Sequence, residues 1–179
     1  MNLYHFTSVY YLPSILRAGL TRGDVPLGLT ASVNGVWLTK EGRKYRQVYN
    51  RTSRIIHPGG QSYLVDKAEI RITVDTERLP FLFKWEEVVA KLEIDPLFAK
   101  FLNSAGNADG GLWFVSFATV PPSAFVKIER DASGRGEWRE IQDAAGVPQL
   151  EVRSVSSWEL ETGQRIQRIP VETILPRLK

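Results

Sequence analysis

Apolar residues along this chain recur at two spacings, and the changes from one to the other mark its elements. A spacing of two is clearest over residues 68–74, where Ile70, Ile72 and Val74 alternate with Glu69, Arg71 and Thr73. That alternation predicts a strand with its apolar side on the core. Residues 3–7 and 35–39 are shorter runs of strand type. Leu3, Tyr4 and Phe6 surround a histidine, His5, and Val36, Trp37 and Leu38 run up to Thr39. Helical spacing appears over 11–20: Leu12, Ile15, Leu16 and Leu20 share a side, Pro13 falls in the first turn and Gly19 where a C-terminal cap belongs. Residues 41–50 predict a second helix, with Tyr45 and Tyr49 one turn apart. Residues 85–102 predict a helix in two pieces, broken at Asp95-Pro96. Trp85, Val88, Val89 and Leu92 share one face, and Leu97, Phe98, Phe101 and Leu102 another.

Between these segments, residues 21–34 hold Gly23, Pro26 and Gly28 and read as one long loop. Residues 50–63 are polar, with a turn at His57-Pro58-Gly59-Gly60. Residues 79–83 read as a packed extended segment, and 103–111 as a small polar loop. Residues 112–117 are apolar enough for a strand buried on both sides, ended by Val120-Pro121-Pro122 before another strand from 125 to 128. The Gly-rich stretch 131–136 marks a boundary. Beyond it, 151–155 and 165–169 predict strands and 170–178 a closing helix or tail. The expected class is α+β: a split, twisted sheet with flanking helices over 1–130, and a β-rich extension over 131–179 packed on it. Strand, helix, loop, strand, helix at the front, with a histidine in the first strand, leaves a cleft for a small ligand.

At these residues the chain resembles a family. His5-Phe6-Thr7, then Ile15-Leu16-Arg17-Ala18-Gly19-Leu20, then Val36-Trp37-Leu38-Thr39 with Tyr45 and Tyr49 behind it, look like the front half of the ADP-ribosyltransferase superfold. That group includes the diphtheria-toxin-like enzymes, the DNA-modifying toxins of toxin–antitoxin pairs and the tRNA 2′-phosphotransferases. The likeness covers residues 1–50 well and continues to Ile128 in the order of elements alone. It implies that His5 hydrogen-bonds the nicotinamide-side ribose of NAD. The rest of the implied NAD site is Phe6, Thr7, Gly19, Leu20, Trp37, Thr39, Tyr45 and Tyr49. It also implies that the loop 21–34 wraps the adenine end. Read on its own, His5 is a buried, hydrogen-bonded core histidine; its company, Thr7, Gly19-Leu20 and the Trp37 strand in that order, is what points to the cleft. Trp37 and Trp113 are core or stacking platforms, and the two tyrosines line the cleft or pack their helix down.

One departure from the family bears on activity. As the bond from ribose to nicotinamide breaks, positive charge develops on the sugar, and a carboxylate beside it stabilises that charge. The family places a glutamate at the start of the strand before its Pro-containing turn. Here Gly110, Gly111, Leu112 and Trp113 stand there, and Asp109 is the nearest acid. Glu161, folding back from the extension, is the other candidate. Glu86 and Glu87 are neighbours about 100° apart on a helix, so at most one enters a cleft.

Net charge is +3 with a sequence pI near 9.2, which is mildly basic. A nucleic-acid surface needs that charge gathered on one face. Arg43, Arg46, Arg51 and Arg54, with Lys40 and Lys44, form one such group, read either as a phosphate-binding surface or as a solvated helix face. The chain has no cysteine, which excludes disulfides, thiol catalysis and cysteine-based zinc sites, and its two histidines are too few for a His-rich metal site. No apolar run approaches the ~20 residues that span a bilayer, and the start has no basic-then-apolar leader, so the expected compartment is the cytoplasm. Two functions follow: NAD-dependent ADP-ribosyl transfer to a nucleic acid or protein, as in toxin, phage-defence or counter-defence systems, or an inactive binding module on the same fold. An unrelated α+β domain is the third reading.

Overall fold

The computed structural model describes residues 1–43, 52–56, 62–104, 109–143, 153–154 and 166–179. Its largest element is a seven-stranded antiparallel sheet. The strands in chain order are β1 (Asn2–Thr7), β2 (Asp24–Pro26), β3 (Ala31–Asn34), β4 (Val36–Thr39), β5 (Thr52–Ile56), β6 (Ser62–Asp66), β7 (Ile70–Asp75), β8 (Leu82–Lys84), β9 (Trp113–Ser116), β10 (Phe125–Arg130), β11 (Arg139–Glu140), β12 (Arg153–Ser154) and β13 (Gln167–Ile169). The large sheet runs β11-β10-β7-β1-β4-β9-β8; two three-stranded sheets, β12-β5-β6 and β13-β3-β2, flank it. The helices are α1 (Leu12–Ala18), α2 (Trp85–Lys91), α3 (Pro96–Ser104) and α4 (Val171–Leu178). None of the described helices is long and apolar enough to cross a membrane.

The alternation in β7 sets the core. Ile70, Ile72 and Val74 are fully buried and face Leu3 of β1, Leu38 of β4, Phe114 of β9 and the apolar side of α1. The second cluster lies on the opposite face of the sheet, where α2, α3 and α4 bring Trp85, Val88, Ala99, Ile174 and Leu178 against Trp113 and Val115, the residues of β9 that flank Phe114. Residues past 131 therefore enter the core: α4 fills this cluster, β13 pairs parallel with β3, and β11 extends the large sheet from β10. The stretch 131–136 is the turn of that β10–β11 hairpin. Asp131 is buried, and its carboxylate accepts the Ser133 hydroxyl (2.8 Å) and the Gly136 amide (2.7 Å).

α1 begins and ends as its sequence indicates. Ser8 opens a 3₁₀ turn over Val9–Tyr11, Pro13 sits in the first turn of α1, and Gly19 closes it at φ 81°. Glu87, at the start of α2, turns back to accept the Lys84 amide at 3.3 Å, the behaviour of a helix cap.

Several segments differ from expectation. Residues 21–34 are the β2–β3 hairpin, with Val25 opposite Val33 and both fully buried. Runs of three and four residues are too short for alternation to declare itself. Residues 50–63 contain β5 and the start of β6, which pair antiparallel. In α3, Ala99 is the buried residue and Phe98 and Leu102 are half-buried, whereas Leu97 and Phe101 face solvent. Leu112 lies in a 3₁₀ turn and the buried strand starts at Trp113. Of the helix expected over 41–50, residues 41–43 are not helical and 44–50 lie outside the described residues.

Lys67, in the turn between β6 and β7, has no acidic partner among the described residues, and burial pushes its amine below the ordinary lysine value. At neutral pH the folded chain carries the cost of a desolvated ammonium there. Lys67→Met should raise the melting temperature by a few degrees in a calorimetric scan. A fall would mean that the amine is bonded after all.

Candidate functional site

β1 and β4 are neighbours in the sheet but pair at a single position, Tyr4 opposite Thr39. β1 meanwhile pairs with β7 from Asn2 to Thr7, and β4 with β9 from Val36 to Thr39. The sheet is thus split past Tyr4. His5 stands at the split, its Nδ1 2.9 Å from the carbonyl oxygen of Trp37 on β4. A carbonyl only accepts, so Nδ1 carries the hydrogen and Nε2 is left as an acceptor. Nε2 has no hydrogen-bond partner among the described residues. Burial lowers the imidazole pKa, and the bond to Trp37 raises it by less, so the ring is neutral at pH 7.

The register shows what else faces the split. The Lys40 amide donates to Leu112 on the β9 side (3.0 Å), so Leu38 and Lys40 turn their peptide groups to β9, and Trp37 and Thr39 turn theirs to β1. Tyr4 accordingly addresses β4, and so does Phe6, two residues on. No ladder pair meets Phe6 there, because the carbonyl that would have met it, that of Trp37, is held by the His5 ring. The N–H and C=O of Phe6 therefore point toward β4, into the gap.

Aromatic side chains stand on both sides of the gap, on the face of the sheet opposite the one to which Leu3, His5 and Thr7 belong. On the β4 side, Trp37 packs edge-on against Trp85 (4.9 Å between centroids) and Trp113 (5.5 Å), and donates its indole N–H to the Asp24 carbonyl at 3.0 Å. Trp113 is buried, whereas Trp37 is half-buried at the rim. On the β1 side, Phe6 meets Trp138 with centroids 6.0 Å apart. The sequence offered no signal for Trp138, which arrives through the β10–β11 hairpin.

The remaining expected site residues are distributed as follows. Thr7 ends β1, buried. Thr39 is buried, and its Oγ1 accepts the Glu41 amide at 3.0 Å. Gly19 and Leu20 lie against the turn at Val120: Leu20 exchanges both backbone hydrogen bonds with Val120, and its side chain is in the core. Neither of Leu20's backbone groups is left over for a ligand. Asp109 caps the 3₁₀ turn before β9 by accepting the Gly111 amide at 3.1 Å. Since Trp113 pairs with Thr39 and Thr39 with Tyr4, that turn begins on the joined side of β1 and β4. Arg43 is exposed and its guanidinium is paired with Glu41 at 2.7 Å. Arg54 stands in β5, opposite Leu64, in a different sheet from His5. Tyr45, Tyr49, Arg46, Arg51 and Glu161 lie outside the described residues.

A lowered histidine pKa has a consequence for stability. The unfolded chain takes up a proton near the ordinary value of 6.5, and the folded chain only at lower pH. The contribution of His5 is therefore complete above 6.5 and is lost as the pH falls toward its folded value. His5→Asn, whose amide can still donate to Trp37, should flatten the fall in melting temperature between pH 7 and 5. An unchanged slope would show that the ring already titrates normally.

No protein-family model matches the chain, and neither a curated protein nor a solved structure matches it.

Proposed function

We propose that the chain is an ADP-ribosyltransferase-like protein that holds NAD with its nicotinamide end in the gap between β1 and β4. The observation that carries this reading is the open peptide edge of Phe6 next to a neutral His5. A peptide N–H and C=O on the same strand edge complement a primary carboxamide, which offers one carbonyl oxygen and an NH₂ group. Nε2 of His5 is an acceptor and suits a ribose hydroxyl, which donates. The half-buried ring of Trp37 and the Phe6–Trp138 pair supply apolar walls for a planar heterocycle. NAD supplies the activated bond between ribose and nicotinamide. The chain fixes the carboxamide and the sugar, and the acceptor, a nucleic acid or protein nucleophile, takes the ADP-ribose as nicotinamide departs.

A second reading has its own support. The turn over Gly110–Leu112 that opens β9 carries no carboxyl side chain, and Asp109 just before it is committed to a cap on the joined side of the sheet. A chain that keeps the nucleotide-binding edge, with no carboxylate bonded to His5 among its described residues, acts by binding, occupying a partner protein or nucleic acid. Incubation with NAD labelled on the adenine side separates the two. Release of nicotinamide, with label on an added nucleic acid or protein, supports transfer. Binding of NAD with no release in the presence of either acceptor supports the binding module, and no binding at all overturns both.

A further inference from the structure

On the face of β1 that carries Tyr4 and Phe6, one side chain joins three distant parts of the chain. Arg71 of β7 donates Nε (2.9 Å) and Nη2 (2.8 Å) to one carboxylate oxygen of Glu129 on β10, and Nη1 to the carbonyl of Gly42 at 2.7 Å. The Trp138 ring covers its guanidinium at 4.3 Å, and Tyr4 lies 5.5 Å away on the same group. Lys127 takes the other oxygen of Glu129 at 2.8 Å, with Glu140 also facing that lysine. Burial raises the Glu129 carboxyl, but the hydrogen bonds of Lys127 and Arg71 outweigh it and hold the group below the ordinary glutamate value. Glu129 is ionised at neutral pH.

A buried pair of this kind adds little net stability over two well-packed apolar residues. What a guanidinium adds is direction, because its planar fork fixes where its partners lie. Here the partners are the segment that leaves β4, at Gly42, and the hairpin that brings Trp138 onto Phe6. A Cβ at Gly42 would lie 3.3 Å from the Tyr4 ring, so that segment is already pressed onto β1.

We propose that Arg71 is a positioning residue for the gap: by holding the Gly42 carbonyl and the Trp138 ring on a single buried counter-ion, it sets the wall beside the open edge of Phe6. The proposal rests on the NAD reading for the identity of the ligand. It predicts that ligand affinity depends on a residue one strand removed from the gap.

The test uses the full chain with Arg71→Lys, which keeps the charge and loses the fork and the flat stack, and with Glu129→Gln. NAD affinity is measured by calorimetry, and amide hydrogen exchange is followed over 40–43 and 136–141. Arg71→Lys should weaken NAD binding at least tenfold and speed exchange in both segments, while the amides of β7 exchange as in the wild type. Glu129→Gln should move both readouts in the same direction. Faster exchange with unchanged affinity would reduce Arg71 to a structural tie. Unchanged exchange in either segment would show that it does not hold them together. If the wild-type chain binds no NAD, the dinucleotide reading fails and takes this ligand assignment with it, and the exchange result still decides whether Arg71 holds the two segments.

Discussion

Replacing His5 by alanine should weaken NAD binding by about ten- to a hundredfold and abolish any release of nicotinamide. The substitution removes two things at once. Nε2, the ring's acceptor, disappears, and the Trp37 carbonyl loses the donor that holds it. The second loss leaves a part-buried carbonyl unpaired, at a cost of about 1–3 kcal/mol of stability. It also frees Trp37 to pair with Phe6 and close the split. His5→Asn separates the effects, since its short amide can keep the bond to Trp37 while offering nothing at the position of Nε2. The expected pattern is a marked loss of stability for His5→Ala alone, and a loss of NAD affinity for both. Full affinity in His5→Asn, measured by calorimetry at pH 7.5, would place the ligand elsewhere.

The second large effect falls on Gly19. Its φ of 81° lies in the left-handed region that only glycine enters freely, and a Cβ there would sit 2.3 Å from the carbonyl oxygen of Val120. That oxygen is fixed by the Leu20 amide at 2.9 Å, so it cannot simply turn away. Backbone strain and overpacking together predict about 3 kcal/mol of destabilisation for Gly19→Ala. For a chain of this length that is a fall of about 10 °C in melting temperature. A change of under 2 °C, roughly the effect of half a kilocalorie, would mean that the α1 terminus and the Val120 turn are not locked as described.

What the sequence made legible was whatever depends on near neighbours. The alternation of Ile70, Ile72 and Val74 placed β7, and its three residues are fully buried. Pro13 and Gly19 bracket α1, and Asp95-Pro96 separates α2 from α3, with Asp95 accepting the Leu97 amide at 2.7 Å. The short hairpins β2–β3 and β5–β6 escaped notice because runs of three to five residues are too short for alternation to show. Pro26 and the glycines around it read as breakers, although Pro26 sits at the end of an edge strand where its missing N–H costs nothing.

The same division applies to the candidate site. The strand setting of His5 could be read directly, but the state of its ring depends on the Trp37 carbonyl, 32 residues away. The open edge of Phe6 follows from which strand each peptide faces, and that is a property of register, not of residue type. Arg71 and Glu129 are 58 residues apart, and Trp138 joins them from a third segment. In sequence Arg71 was simply the polar side of an alternating strand, and Glu129 lay just past the strand expected to end at 128. Long-range hydrogen bonds between polar residues leave no period behind, which is why this part of the site had to be seen in three dimensions.

As proposed, the gap beside His5 receives a dinucleotide through the peptide edge of Phe6. The most direct test is the backbone amide signal of Phe6 in a ¹⁵N-labelled sample titrated with NAD and, separately, with nicotinamide. That amide should shift far downfield with both ligands, among the largest shifts in the spectrum, while the amides that bond β1 to β7 barely move. Saturating NAD that leaves the Phe6 amide where it was would contradict the proposal.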